Sequence, residues 1–237
     1  MKKIVSFIIA VLMILAGFAG CKKEELTKED IYAAIAKTAA LESYEMKYEI
    51  DMKMISGGES MNTPAKGSTK KALLDGEAVI EHEFVVDFGI TKSETLMYIV
   101  GDTAYMDVLG KKTKLSAEAA SASVPMFDLS EFGKASIINV EAVEDGYAVE
   151  FENGSLDTLF DKILGTEQDD AAYKNVTVSF TLNGDGYVTS CCVSFEGSAF
   201  DKDLGDYGTV ASCTFTYISP GTEVTLTLPE LDEYAEE

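Results

Sequence analysis

From residue 44 to residue 54 the chain alternates without a break, with Tyr44, Met46, Tyr48, Ile50, Met52 and Met54 set between Glu45, Lys47, Glu49, Asp51 and Lys53. A period of two puts the six large apolar side chains on one face and the five charges on the other. That is the pattern of an antiparallel strand with one face in an apolar interior and the other in water. Before it the period is 3.6. Thr27 has Asp30 at the capping-box position, and Ile31, Ala34, Ile35, Thr38 and Leu41 follow at helical spacing, which predicts one amphipathic helix ending near residue 42. A less regular stretch, 59–74, is interrupted by Pro64. Ile80, His82, Phe84, Val86, Phe88 and Ile90 then line one face of a further strand, with Glu81, Glu83 and Asp87 opposite. Gly101-Asp102, between 95–100 and 103–108, predicts a tight hairpin.

The middle of the chain is less periodic. Residues 115–122 read as a short helix that Pro125 ends, and 127–132 as another helical turn. A hairpin of 136–143 and 147–151 turns at Glu144-Asp145-Gly146, and Leu156, Leu159, Phe160, Ile163 and Leu164 return to helical spacing. The last third is strand again: 175–182 and 187–195 around Asn183-Gly184-Asp185-Gly186, then 209–218, then 224–228 before Pro229. About ten strands with an N-terminal helix and one or two further short helices predict an α+β fold. One large curled antiparallel sheet, an incomplete β-barrel, dominates it.

The first twenty-one residues change the picture of where this domain works. Lys2 and Lys3, an apolar run from Ile4 to Phe18, and Ala19-Gly20 before Cys21 form a lipoprotein signal, with an apolar stretch too short for a comfortable membrane span. The expected organisation is a signal peptide at 1–20, a lipidated Cys21 with a short tether over 21–26, and one half-barrel-like domain over 27–237. Two fatty acyl chains on Cys21, of the palmitate kind, at about 0.8 kcal/mol per buried methylene, give lasting attachment to the extracytoplasmic face of a cell membrane. Residues 22–26 span at most about 17 Å, which keeps the domain close to that membrane.

Charge narrows the partners. The chain carries a formal charge of −22, and all nineteen basic residues are lysines. Nucleic acid and bare anionic surfaces suit such a chain poorly. Histidine catalysis has a single candidate, His82, which sits mid-strand on the apolar face, and there is no Gly-x-Ser-x-Gly elbow, phosphate loop or arginine clamp. No enzyme, metal site or cofactor is expected. The stretch from Asp201 to Asp206 is rich in carboxylates but departs from the EF-hand loop, because its glycine and third acid are transposed and its twelfth position is Ser212. Cys191, Cys192 and Cys213 fit no zinc spacing. Cys191 and Cys213 alternate with apolar residues on two candidate neighbouring strands, where they form either a buried thiol pair or a disulfide.

What remains is a surface rather than a motif. Met46, Tyr48, Ile50, Met52, Met54, Phe84, Phe88, Tyr98 and Tyr105 are expected to line an apolar cavity, in which methionines and aromatics adapt to ligands of varied shape. Alternation does not distinguish such a hollow face from a filled one. The lipidated cysteine, short tether, single helix, long Met-rich strand, the hairpin around Gly101-Asp102 and a closing segment at 222–229 together resemble the envelope lipoproteins of the LolA/LolB and LppX/LprG half-barrel group. The resemblance covers most of 27–230. It implies a sheet curled into an incomplete barrel, closed on one side by helices, that holds lipid or another hydrophobic ligand for transfer or sensing. Two features depart from the group's carrier: that carrier is soluble, and no basic cavity mouth is evident here. The expectation is a membrane-anchored, monomeric lipid-binding lipoprotein, with a non-enzymatic structural or protein-interaction lipoprotein with a filled core as the alternative.

Overall fold

The computed structural model describes residues 25–123, 127–164, 171–201 and 205–236. Cys21 and the signal segment therefore lie outside the described residues, as do 202–204 of the acidic stretch. Helix α1 (Lys28–Ala39) begins at the expected capping box: the Asp30 N–H donates to the Thr27 hydroxyl at 3.3 Å, and the Thr27 N–H donates to the Asp30 carboxylate at 2.8 Å. Both bonds satisfy donors that a helix start leaves unpaired. Ile31, Ala34, Ile35 and Thr38 form its buried stripe.

The chain then runs through β1 (Tyr44–Ser56), β2 (Glu59–Asn62), β3 (Ala65–Leu74), β4 (Glu77–Asp87), β5 (Lys92–Val100), β6 (Thr103–Val108) and β7 (Lys111–Ser116). Short helices α2 (Ala117–Ser123) and α3 (Ser130–Lys134) carry it across to β8 (Ile137–Val143) and β9 (Gly146–Phe151). Helix α4 (Asp157–Leu164) precedes β10 (Ala172–Leu182), β11 (Val188–Asp201) and β12 (Gly205–Ile218), and a two-residue β13 (Ala235–Glu236) ends the path.

Among the described residues thirteen strands form one sheet, ordered β13-β7-β6-β5-β4-β3-β1-β12-β11-β10-β9-β8, with β2 paired to β1, and only β13 with β7 is parallel. The sheet does not close on itself: β8 and β13 are its two ends. The first strand lies in the middle, held by β3 on one side and by β12 on the other, from Glu45 opposite Ile218 to Ser56 opposite Tyr207. Two meanders, β3 to β7 and β8 to β12, thus meet on β1, and each ladder except β13's joins antiparallel neighbours.

This topology gives the sheet two ends. The turns at 75–76, 101–102 and 183–186 lie at the upper end, where β1 starts, and those at 57–58, 88–91 and 109–110 lie at the lower end. Helix α1 runs upward. Its Tyr32 hydroxyl donates to Ala135 O and accepts from Ile137 N at the start of β8, whereas Thr38 accepts from Val188 N and Lys37 reaches Asp185 O at the β10–β11 turn.

The inner face of the sheet is covered by helices. Phe132 of α3 packs against Phe151 and Phe180, and Phe160 of α4 stacks on Phe195 with ring centroids 4.3 Å apart. Such aromatic pairs add to the area they bury. The outer face is charged along β1 but apolar over β3 to β5, where Ala72 and Val79 need cover. The segment 224–228 supplies it: Leu226 is buried on them, with Leu74, Val100 and Leu228 packed around.

The open antiparallel sheet with one N-terminal and a few short helices stands as the sequence predicts, with two differences. The strands number thirteen rather than about ten, because β2 and β3 are separated at Pro64, which cannot donate to a ladder, and because β7 and β13 add to the edge. The 224–228 segment is no strand. Its alternation of Val224, Leu226 and Leu228 is real, but it reflects one-sided burial across the sheet rather than pairing along it.

Candidate functional site

The inner face of β1 and the β3–β7 meander is built in rows. Register places Met46, Thr69, His82, Met97, Met106 and Thr113 side by side, and the next row holds Tyr48, Gly67, Phe84 and Thr95. Of the residues expected to line a cavity, Met46, Tyr48, Ile50 and Phe84 are buried here, and Met52 and Met54 are half-buried toward the lower end.

Three do not join them. Tyr98 and Tyr105 are opposite each other but on the outer face, in the row of Lys70 and Glu81, where Tyr234 packs edge-on against Tyr105. The inward residue of β5 is Met97, fully buried. In β5 both faces are covered, one by the interior and the other by the C-terminal segment, so hydrophobicity alone could not choose between Met97 and Tyr98; the cross-strand partner His82, itself on the alternating face of β4, was the usable signal. Phe88 is 43% exposed, in the turn after β4. The alternation runs past the end of the ladder, and beyond Asp87 it no longer reports a face.

Two polar side chains were legible only in part. His82 is buried between Tyr48 and Thr69: its Nε2 is 3.2 Å from the Tyr48 hydroxyl and its Nδ1 2.9 Å from the Thr69 hydroxyl. The Tyr48 hydroxyl also donates to Glu83 O at 3.4 Å. One consistent assignment has Thr69 donating to Nδ1, Nε2–H donating to Tyr48, and Tyr48 donating to the carbonyl. Every member of the trio is then satisfied with a neutral ring. Burial with no carboxylate partner pushes the imidazole down to about 4, and burial pushes the Tyr48 phenol well up.

The space over this trio is almost closed. It is bounded by Met46, Tyr48, Ile50, His82, Phe127, Ile163 and Phe215 and amounts to about 10 Å³, room for about one water. Phe127 closes it by stacking on Phe215, centroids 3.6 Å apart and planes at 14°. A roomier hollow, about 240 Å³, lies at the lower end beside Pro64 on the outer face, among Glu49, Asp51, Lys66, Val85, Asp87 and Lys92.

Cys191 lies opposite Phe215, and Cys213 opposite Val193, so the two thiols share the inner face two residues out of register. Such diagonal neighbours are about 7–8 Å apart, beyond the usual span of a disulfide. The alternative of a disulfide is accordingly not realised: both are free and buried, and only Cys192 is exposed. Burial pushes the Cys213 thiol up to about 12 and Cys191 well above its ordinary value. Of these three, a maleimide added to native protein at neutral pH is expected to label Cys192 alone. Mass analysis reads the outcome, and labelling of all three before unfolding would contradict the packing. Among the described residues no cluster of histidine, cysteine or carboxylate side chains could hold a metal ion, and no helix is long and apolar enough to cross a membrane.

No family model and no curated protein matches the sequence. Solved structures do resemble it in the course of the chain. LprF from Mycobacterium bovis is 11% identical with a TM-score of 0.40, over 85% of this chain and 95% of its own. A DUF1329 family protein from Desulfovibrio piger is 12% identical with a TM-score of 0.33, over 86% and 96%. A putative outer membrane lipoprotein-sorting protein domain from Vibrio parahaemolyticus is 10% identical with a TM-score of 0.31, over 80% and 92%. The likeness is to single solved structures at TM-scores of 0.31 to 0.40. It concerns the path of the chain, and no residue's role passes from those proteins to this one.

Proposed function

We propose that the protein is a lipoprotein anchored through Cys21 at the extracytoplasmic face of a membrane, and that it binds a lipid acyl chain or a similar hydrophobic ligand between the inner face of its sheet and the helices, without catalysis. The observation that carries this reading is how the interior is closed. Its wall is a continuous sheet face of Met46, Tyr48, Ile50, Phe84, Met97 and Met106, whereas its cover over Tyr48 and His82 is made of single side chains, Phe127 and Ile163. Thioethers re-pack around an incoming chain at small cost. A ligand would displace the Phe127 ring from its stack on Phe215. The only histidine is engaged at both ring nitrogens and is held neutral, which fits a binding role better than acid–base chemistry.

Native mass spectrometry with organic extraction, applied to the purified chain, tests the reading. A lipid of defined mass at near one-to-one ratio is the expected result. Met52→Asp, which places a charge on the inner face, is expected to abolish uptake, and Glu49→Lys on the outer face to leave it intact. Equal uptake by both variants would show that the inner face is not the binding wall. A clean apo mass that is unchanged after incubation with envelope lipid extract would favour the second reading, a filled-core interaction module. One observation already speaks for that alternative: the space over Tyr48 and His82 is only about 10 Å³.

A further inference from the structure

The lower end of the sheet carries large apolar side chains where turns ordinarily carry polar ones. Ile90, in the β4–β5 turn, is fully exposed; Leu109, in the β6–β7 turn, is 71% exposed; Phe88 and Met61, beside them on the same end, are 43% and 49% exposed. These turns are spatial neighbours. Asp87 N donates to Pro64 O at 2.9 Å and Leu109 N donates to Glu94 O at 3.3 Å, linking the β2–β3, β4–β5 and β6–β7 segments along one rim. With strands about 4.8 Å apart, successive hairpin tips stand roughly 10 Å from one another.

Leu109 also adopts a backbone conformation that resists it. Its φ is +53°, in the left-handed region, where a two-residue hairpin normally takes Asn, Asp or Gly. The other non-glycine residues with positive φ among the described residues are Asp75, Asn175 and Ser219, all small and polar. A branched apolar side chain held in that conformation, and held out in water, gains nothing within this fold.

What could cover the rim is indicated by the start of the chain. Helix α1 runs upward, so its N-terminus, and Glu25 as the first described residue, point to the same lower end. Residues 22–26 reach at most about 17 Å. We infer that this rim, with Ile90 and Leu109 at its tips, docks into the lipid interface of the membrane to which the protein is attached. The inference rests on the anchoring part of the proposed function. Its occupant is a bilayer rather than a protein, because the apolar tips are separate points along one edge, suited to entering a fluid interface, and form no continuous groove.

The chain contains no tryptophan, so one introduced at a time reports without background. The lipidated full chain carrying Ile90→Trp, Leu109→Trp or, at the upper end, Leu73→Trp is reconstituted into phosphatidylcholine vesicles with and without brominated lipid. Emission from positions 90 and 109 is expected to shift to the blue and to fall at least twofold with brominated lipid, with position 73 unchanged. Quenching at none of the three, or equally at all, would overturn the docked orientation. Anchoring is read separately by sedimentation: the full chain should pellet with vesicles and the Cys21→Ser chain should not. Pelleting without quenching removes the docking inference and leaves the anchor. If the full chain does not pellet, the anchor fails, and the Ile90→Trp emission on adding vesicles then decides docking alone, an unshifted spectrum overturning it.

Discussion

Replacing Gly67 by alanine is expected to cost about 3 kcal/mol or more and to lower the midpoint of thermal unfolding by roughly 6–12 °C. Gly67 lies in β3 opposite Tyr48 and Phe84. A Cβ there would stand 2.0 Å from Glu83 O, 2.4 Å from the Tyr48 hydroxyl and 2.7 Å from its Cζ. The first contact is with backbone of the neighbouring strand, which cannot swing aside. The missing side chain is what lets the Tyr48 ring lie across β3 and reach His82 and Glu83. Gly184→Ala is the matched control, since a Cβ there meets nothing within 4 Å and its φ is ordinary. It should change stability by less than about 0.5 kcal/mol. Denaturant midpoints on both variants read the difference. Adding Tyr48→Phe to Gly67→Ala should not restore stability, because the carbonyl remains in the way; full recovery would show that only the hydroxyl was in conflict.

The second large effect is acid sensitivity through His82. In the unfolded chain an imidazole titrates near 6.5, and in the fold burial lowers it to about 4. Between those values the unfolded chain binds the extra proton and the folded one does not. The stabilisation is therefore fully present above about pH 6.5 and is lost as the pH falls toward 4. The difference corresponds to about 3 kcal/mol. Stability measured by urea unfolding at steps from pH 7 to pH 4 should fall correspondingly, and the fall in this window should largely disappear in His82→Leu. Carboxylates held below their usual range by hydrogen bonds, Asp30 to Thr27 and Glu131 to Lys162 among them, add their losses at lower pH. A parallel pH profile in the two proteins would mean that His82 is hydrated or charged in the fold.

Local periodicity was enough for β1. Five charges against six apolar residues leave a strand only one way to face, and the structure keeps Met46, Tyr48 and Ile50 inside. The same reasoning gave the α1 boundary, because the Thr27–Asp30 capping box is complete within four residues. It failed where burial and pairing part company. Tyr98 is buried yet faces outward under the C-terminal segment, and 224–228 alternates without joining a ladder. In both cases the deciding contact comes from more than a hundred residues away. The trio of Thr69, His82 and Tyr48 was visible only as one histidine on an apolar face; its partners lie on β3 and β1, and nothing local names them.

The fold class, the helical start, most strand boundaries and the face that β1 presents are local properties, because they follow from backbone period, caps and turn chemistry acting over a few residues. The lipid-attachment signal expected at Cys21 lies outside the described residues. Long-range packing sets β1 between β3 and β12, keeps Cys191 and Cys213 apart, and lets Phe127 fill the space above Tyr48 and His82 down to about 10 Å³. These are matters of register and of volume between distant segments. Alternation fixes which way a side chain points, and has no term for what meets it there.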